Sequence, residues 1–276
     1  MVARNTKINY SLQDIFIYPV KSLGGIALNE SFAENRGLQF DRRWMLIDKN
    51  NNFLTQRKLS EMALIEVSIS NDVLEINHKT RKLPTLKVPL TISNSATQKV
   101  TVWSDQVSAP VMEDNDIQEW FFEALHEKVR MVFMDDKASR PVDPEYAING
   151  ELVSFADGFP FLVTNQASLD DLNNRLEMPV PMQRFRPNLV IAGAQPFEED
   201  NWNEIQIGAA LFKVVKPCGR CVVTTIDQKT AEKGTEPLKT LSTFRKFGSK
   251  IIFGQNMVLI KPGLIVKENE IKVTFR

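Results

Sequence analysis

The chain has 276 residues, enough for one large domain or two smaller ones, and its 43% hydrophobic and 25% charged content is that of an ordinary globular protein. Its 34 basic and 34 acidic side chains balance, so no overall field draws it to nucleic acid or an anionic membrane, although a local basic cluster can still hold a phosphate. The first thirty residues contain no unbroken apolar run fit for a signal peptide, and no later stretch reaches the ~18 apolar residues that span a bilayer. The expected location is therefore the cytoplasm, where cysteines stay reduced.

Strand signals dominate. "LQDIFIYPV" (12–20) ends at Pro19 and a Lys-Ser-Leu-Gly-Gly turn, and "RRWMLID" (42–48) leads through a polar turn into "FLTQR" (53–57). "LIEVSIS" and "VLEIN" flank Asn71-Asp72 and read as a hairpin; "KVTVWS" alternates. A helix is expected over 116–129, where Ile117, Trp120, Phe121, Ala124 and Leu125 form one stripe and Asp114 and Asp116 sit at its start. The loop 134–150, rich in Asp and Pro, is the expected seam between a β-rich part, 1–133, and a mixed part, 134–276. Beyond it, 168–176 opens with Ser168 as the expected cap and Asp171 three residues on, and 237–247 is a third expected helix. The final "EIKVTFR" puts Ile271, Val273 and Phe275 on one face.

Both cysteines fall in "KPCGRCVVTTID" (216–227). The chain offers only two Cys and two His (His78 and His126), and the histidines lack the paired spacing of a structural zinc site, so zinc is not expected. After Cys221, "VVTTI" reads as strand, whereas a thioredoxin-like dithiol needs a helix there. Pro217, Gly219 and Arg220 make a tight polar turn, and Arg220 supplies a positive charge that favours a thiolate. A nucleophile, a soft-metal ligand and a pair of inert buried thiols stay open on spacing alone, and neither His has the context of a catalytic partner.

The chain also resembles a known family. "KPCGRCVVTTID", "EPLKTLSTFR" (236–245) and "FGQN" (253–256) look like the molybdenum-cofactor sulfurase C-terminal, or MOSC, domain. "YPVKSLGG" (18–25), "GLQFDRRWMLID" (37–48) and "FLTQR" resemble the β-barrel domain that precedes it, and 155–176, "RFRPNLVI" (184–191) and "PFEEDNW" (196–202) complete the pattern. The likeness is strongest to the mitochondrial amidoxime-reducing components and the bacterial proteins that detoxify N-hydroxylaminopurines. It implies a strand-rich α+β protein: an N-terminal MOSC-type β-barrel domain, then a barrel-like MOSC domain with a few helices. The ferredoxin domain of the bacterial relatives, the membrane anchor of the mitochondrial ones and the pyridoxal-phosphate domain of the full sulfurase are not expected here.

What the resemblance implies chemically is a molybdenum cofactor, with Cys221 on the metal and Cys218 a packed thiol. Lys21, Ser22 and Arg42 would hold the pterin phosphate, and a Lys-Ser pair in a glycine-adjacent turn does offer an ammonium, a hydroxyl and backbone N–H groups to one anion. Arg43 is expected to be solvated, and Arg57 is a third arginine of undetermined role. Arg186 and Asn188 would contact the pterin, with Pro187 holding Arg186 extended. Asp157 would fix the pterin or relay a proton; hydroxylated residues of the animal proteins are replaced by Gly158 and Phe159. The implied reaction is reduction of a small N-hydroxylated substrate, at a site between the two parts, with electrons from a separate protein (a ferredoxin, a cytochrome b5-like protein or a flavoprotein). The competing readings are a cofactor carrier without turnover, a persulfide carrier using Cys221 or Cys218, and a β-rich binding module without metal.

Overall fold

A computed structural model describes residues 9–91 and 95–276, so the first eight residues of the N-terminal stretch read above lie outside it. Seven strands close into a ring. Tyr10–Ile17 pairs with Leu189–Ala192, which runs parallel to Phe161–Asn165. In the other direction the path runs through Glu270–Phe275, Trp202–Ile207, Ala210–Gly219 and Lys250–Lys261, and the last of these returns to Phe161–Asn165. A closed ring leaves no edge among these strands, and alternate side chains fill its interior. Along Ala210–Gly219 the burial alternates over the first six residues, and Leu12, Val163, Ile191, Trp202 and Phe212 meet in the same cluster. Each such fully buried side chain contributes roughly 1.5–3 kcal/mol.

The first half adds a second core. Trp44–Ile47, buried at all four positions, pairs with Arg130–Phe133, which continues to Asp105–Met112 and Thr97–Val102. The hairpin of Ile65–Ser70 and Val73–His78 turns at Asn71 and Asp72, both with positive φ, as a two-residue turn of primed type demands. Helix α1, Asn115–Leu125, buries the expected stripe of Ile117, Trp120, Phe121, Ala124 and Leu125 against Trp44, Leu46 and Leu74. Asp114 caps it by accepting the Asp116 N–H at 2.8 Å. The strand-rich α+β architecture is thus the expected one, and its sheets interleave the two halves. Tyr10–Ile17 lies inside the ring built otherwise from strands after 160, and Glu30–Glu34 pairs with Gly263–Val266.

Three local expectations are corrected. "VVTTI" forms a 3-10 turn, Val222–Thr225, because the Thr224 N–H closes on the Cys221 carbonyl and both threonine hydroxyls bond carbonyls three residues back. The third helix ends at Phe244, and Lys246–Phe247 pairs instead with Lys250–Ile251. Helix α2, Gln166–Asn173, is capped by Asn165, whose side chain accepts the Ala167 N–H.

Ser168 lies inside that helix because a buried carboxylate claims it. The Ser168 hydroxyl contacts both oxygens of Glu199 at 2.8 Å and accepts the Phe197 N–H at 2.7 Å, while Asn165 Nδ2 donates to Glu199 at 3.1 Å. Burial pushes the Glu199 carboxyl up to about 7 against these hydrogen bonds. A raised carboxyl means the folded state binds the proton more tightly, so this contribution is complete below about 4.5 and is lost as pH rises through about 7. The melting temperature is expected to fall across that window, by roughly 2–4 °C per kcal/mol. Glu199→Gln, measured by calorimetry at a series of pH values, is expected to flatten the fall; an unaltered slope would remove Glu199 as its source.

Candidate functional site

Tyr18 stands just after the first strand, and its backbone and ring organise what surrounds it. Its N–H donates to Asp41 at 2.8 Å, and its carbonyl accepts the Arg42 N–H at 2.9 Å. Two guanidinium groups lie over the ring, Arg42 at 4.6 Å and Arg186 at 4.1 Å from its centroid. Desolvated contacts of this kind contribute up to about 2 kcal/mol each. The ring occupies the space where a Cβ on Gly25 would stand, 2.5 Å away, so the glycine after the Lys-Ser-Leu turn is required for packing. Burial raises the phenol to about 12, so Tyr18 is neutral at any ordinary pH.

Beside this cluster lies a cleft of about 440 Å³ between the first-half loops and the Lys216–Thr224 segment. It brings together every expected site residue: Lys21, Ser22, Arg42, Asp157, Arg186, Asn188 and Cys221. Cations line it from all sides, Lys21, Lys216 and Lys250 with Arg42, Arg57, Arg186 and Arg220, while Asp157 is the one carboxylate among its described residues. The chain's neutral total therefore conceals a strongly positive cavity.

Each group has a definite setting. Lys21 is buried, and its ammonium donates to the Phe155 carbonyl at 2.7 Å and to Asp157 at 2.6 Å. Burial lowers its pKa, with Asp157 opposing. Burial would raise Asp157, but the Lys21 ammonium and then Arg57 outweigh it and hold the carboxyl well below the usual range. Asp157 is thus an ionised acceptor that remains accessible from the cleft. Arg42, with φ 51°, bonds Asp41 at 2.6 Å, and this carboxylate raises its pKa although burial opposes. Asn188 is buried, and its amide is engaged within the protein: Oδ1 accepts the Leu162 N–H at 3.1 Å and Nδ2 donates to the Phe16 carbonyl at 3.2 Å. It forms wall and holds strands together, with little left to offer a ligand.

Arg186 is left-handed, φ 52° and ψ 48°, where the preceding-proline rule predicts extension. Its N–H closes a 3-10 turn on the Gln183 carbonyl, and the resulting direction lays its side chain on Tyr18 with Nη1 donating to the Leu23 carbonyl at 2.8 Å. Burial lowers it to about 10, still cationic at neutral pH. Its Nη2 is buried without a hydrogen-bond partner among the described residues. Arg43 is likewise not solvated: its Nε donates to the Met134 carbonyl at 2.8 Å and Nη2 to Asp136 at 2.7 Å, because the strand that begins at Trp44 turns it away from the cleft toward 134–136.

The thiols differ. Cys221 is exposed at the start of the 3-10 turn; Cys218 is half-buried rather than packed in a core, and Arg220 Nη1 donates to its sulfur at 2.9 Å. The hairpin closed by Lys250 backs this loop, with the Lys250 stem lying where a Cβ on Gly219 would press it at 3.3 Å.

Two contributors escaped the reading of the sequence. Lys250 is far from the cysteines in the chain. Trp103 carries φ 59° in the two-residue turn between Val102 and Asp105, a left-handed position that costs a bulky residue on the order of 1–3 kcal/mol. Its Nε1 donates to Asp157 at 3.3 Å, and Arg57, now placed, lies 4.4 Å over its ring. A tryptophan where a hairpin turn wants Asn or Gly is the signal that was available.

A cavity with this charge has the electrostatics to attract an anion. Pyrophosphate is expected to raise the melting temperature of the protein, by the equivalent of about 2.7 kcal/mol at a hundredfold excess over Kd. In Arg186→Gln the titration midpoint should move about tenfold higher. Identical midpoints would show that this guanidinium plays no part.

The chain was compared with known proteins. Residues 9–128 match the MOSC N-terminal beta barrel domain and residues 151–272 the MOSC domain. It is 31% identical to human mitochondrial amidoxime-reducing component 1 over 274 residues, covering 92% of this chain and 80% of that protein. It is 32% identical to the mouse protein of the same name, covering 92% and 79%. Rice (Oryza sativa subsp. japonica) molybdenum cofactor sulfurase is 30% identical over 94% of this chain, which spans only 33% of that longer protein. Among the described residues, no helix is long and apolar enough to cross a membrane. The chain belongs to the family of proteins that join a MOSC N-terminal beta barrel domain to a MOSC domain.

Proposed function

We propose that the positive cleft holds a molybdenum cofactor and that the protein reduces N-hydroxylated compounds to amines, with electrons from a separate donor protein, a ferredoxin, a cytochrome b5-like protein or a flavoprotein. The observation that carries this reading is an exposed thiol, Cys221, in a cavity whose other walls are largely cationic and include Arg186, one of whose guanidinium nitrogens is buried without a partner among the described residues. Among the described residues, no three His, Cys, Asp or Glu side chains converge as a metal site. A metal at Cys221 would take its remaining ligands from a bound group, which suits a soft metal carried on a pterin dithiolene. The names of the relatives, amidoxime-reducing component and molybdenum cofactor sulfurase, support the same chemistry.

Lys21, Ser22 and Arg42 would hold the phosphate of the cofactor, and Arg186 would supply its free Nη2 to an oxygen of the same group. Asp157, kept ionised by Lys21, is an acceptor for pterin N–H groups; with its pKa this low it is a poor proton relay. The cofactor would supply the two-electron redox chemistry. The overall change takes two electrons and two protons to convert R–NH–OH to R–NH2 and water, and the open cleft admits those protons from solvent. Free thiols at Cys218 and Cys221 agree with the cytoplasmic location proposed for it.

One contact favours a second reading. The Arg220 guanidinium donates to the Cys218 sulfur at 2.9 Å, a contact that would hold a sulfur carried there. Molybdenum and pterin content of protein made in a cofactor-proficient host separates the two. Wild type and Cys218→Ala are expected to hold metal near one per chain and Cys221→Ala less than a tenth of that; the loaded protein with a donor protein should then reduce an N-hydroxylated substrate. Equal metal in all three would remove Cys221 as the anchor. Loaded protein without turnover would favour a carrier, and cyanide-labile sulfur lost only in Cys218→Ala would favour sulfur transfer.

A further inference from the structure

A second cleft, of about 380 Å³, lies between the Trp103–Ser104 turn and the segment 140–144. It shares Asp157 and Gly158 with the first, so these two residues are a common wall. At Gly158 that wall is low: a Cβ built there meets no atom within 4 Å. The volume falls in the range of small-molecule sites.

Its lining lacks its neighbour's excess of cations. Asp105, Asp143 and Asp157 line it with one cation, Arg140, which is fully engaged. The Arg140 guanidinium donates to Asp105 at 2.8 Å and to the carbonyls of Ser154, Ala156 and Asp157 at 2.8, 2.5 and 3.0 Å. Nothing there attracts a phosphate. At its mouth stands Trp103, 46% exposed although large and aromatic. Three contacts hold it: the bond to Asp157, the Arg57 stack, and Phe53 at 5.4 Å between ring centroids. An aromatic side chain kept in a left-handed turn and held by three contacts, with much of its surface in solvent, has the form of a prepared platform.

We propose that this second cleft receives the carbon skeleton of the substrate, as a flat, uncharged or cationic aromatic group lying against Trp103, while its N–O group reaches over Gly158 toward Cys221. The proposal rests on the reductase reading of the first cleft and names the substrate class of that site. Trp103 and Gly158 then set specificity, the first by stacking and the second by leaving the passage open.

Calorimetric titration with benzamidine and with acetamidine tests it without turnover. The two share a cationic head, and only benzamidine has a ring. Benzamidine is expected to bind wild type at least tenfold more tightly than acetamidine does, and Trp103→Ala should erase that advantage. Gly158→Leu is the second variant, since its added atoms enter open space at a backbone position outside the left-handed region, and it too should weaken benzamidine at least tenfold. In loaded protein, the KM for benzamidoxime should rise at least tenfold more than that for hydroxylamine in Trp103→Ala. Benzamidine affinity within twofold of wild type in either folded variant overturns the proposal. Should loaded wild type reduce neither compound, the reductase reading fails, and the titrations still decide the second cleft.

Discussion

The stacking of two guanidinium groups on the buried ring of Tyr18 is the contact from which the rest of the site follows. Arg42 comes from the first half and Arg186 from the second, and both are left-handed at the backbone, a conformation that neither would adopt without compensation. Asp41 closes the arrangement by accepting the Tyr18 N–H and an Arg42 N–H, which leaves one buried carboxylate to offset two buried cations. The excess charge faces the cleft. A chain of neutral total thus carries a cleft lined by seven cations and one carboxylate among its described residues.

The barrel supplies the rigidity. Closing Lys250–Lys261 on Phe161–Asn165 brings the Lys216–Cys221 segment, which leaves the ring beside it, against the loops that follow the first strand. Burial of Trp202, Phe212 and Leu12 inside the ring fixes these loop origins far more firmly than the loops fix themselves. The two clefts flanking Asp157 then differ in charge within a few residues, the first rich in cations and the second with Arg140 as its one cation among the described residues. Lys21 makes this division possible, since its buried ammonium keeps Asp157 ionised on the shared wall.

Much of this was legible in the chain. Period-two alternation and the Asn71-Asp72 turn identified strands and a hairpin, and the stripe on 116–129 identified the helix, which ends earlier, at Leu125; these patterns follow from local geometry alone. The site residues were legible only through resemblance; nothing in the spacing of Lys21, Asp157 and Cys221 shows that they meet. The local misreadings share one cause. "VVTTI" has strand composition, yet its threonine hydroxyls bond back to the chain. Ser168 looks like a cap, yet Glu199, thirty-one positions on, takes its hydroxyl.

By itself, then, the sequence determined the strand-rich class of fold, the core stripes and the absence of a net field, all of which depend on neighbours within a few residues. Only the tertiary structure decided which arginines face the cleft and which are turned away, that the amide of Asn188 is consumed within the protein, and that Trp103 stands over a second cavity. These depend on contacts between residues tens to hundreds of positions apart. Closure of the barrel alone brings such residues together, and local sequence carries no record of it.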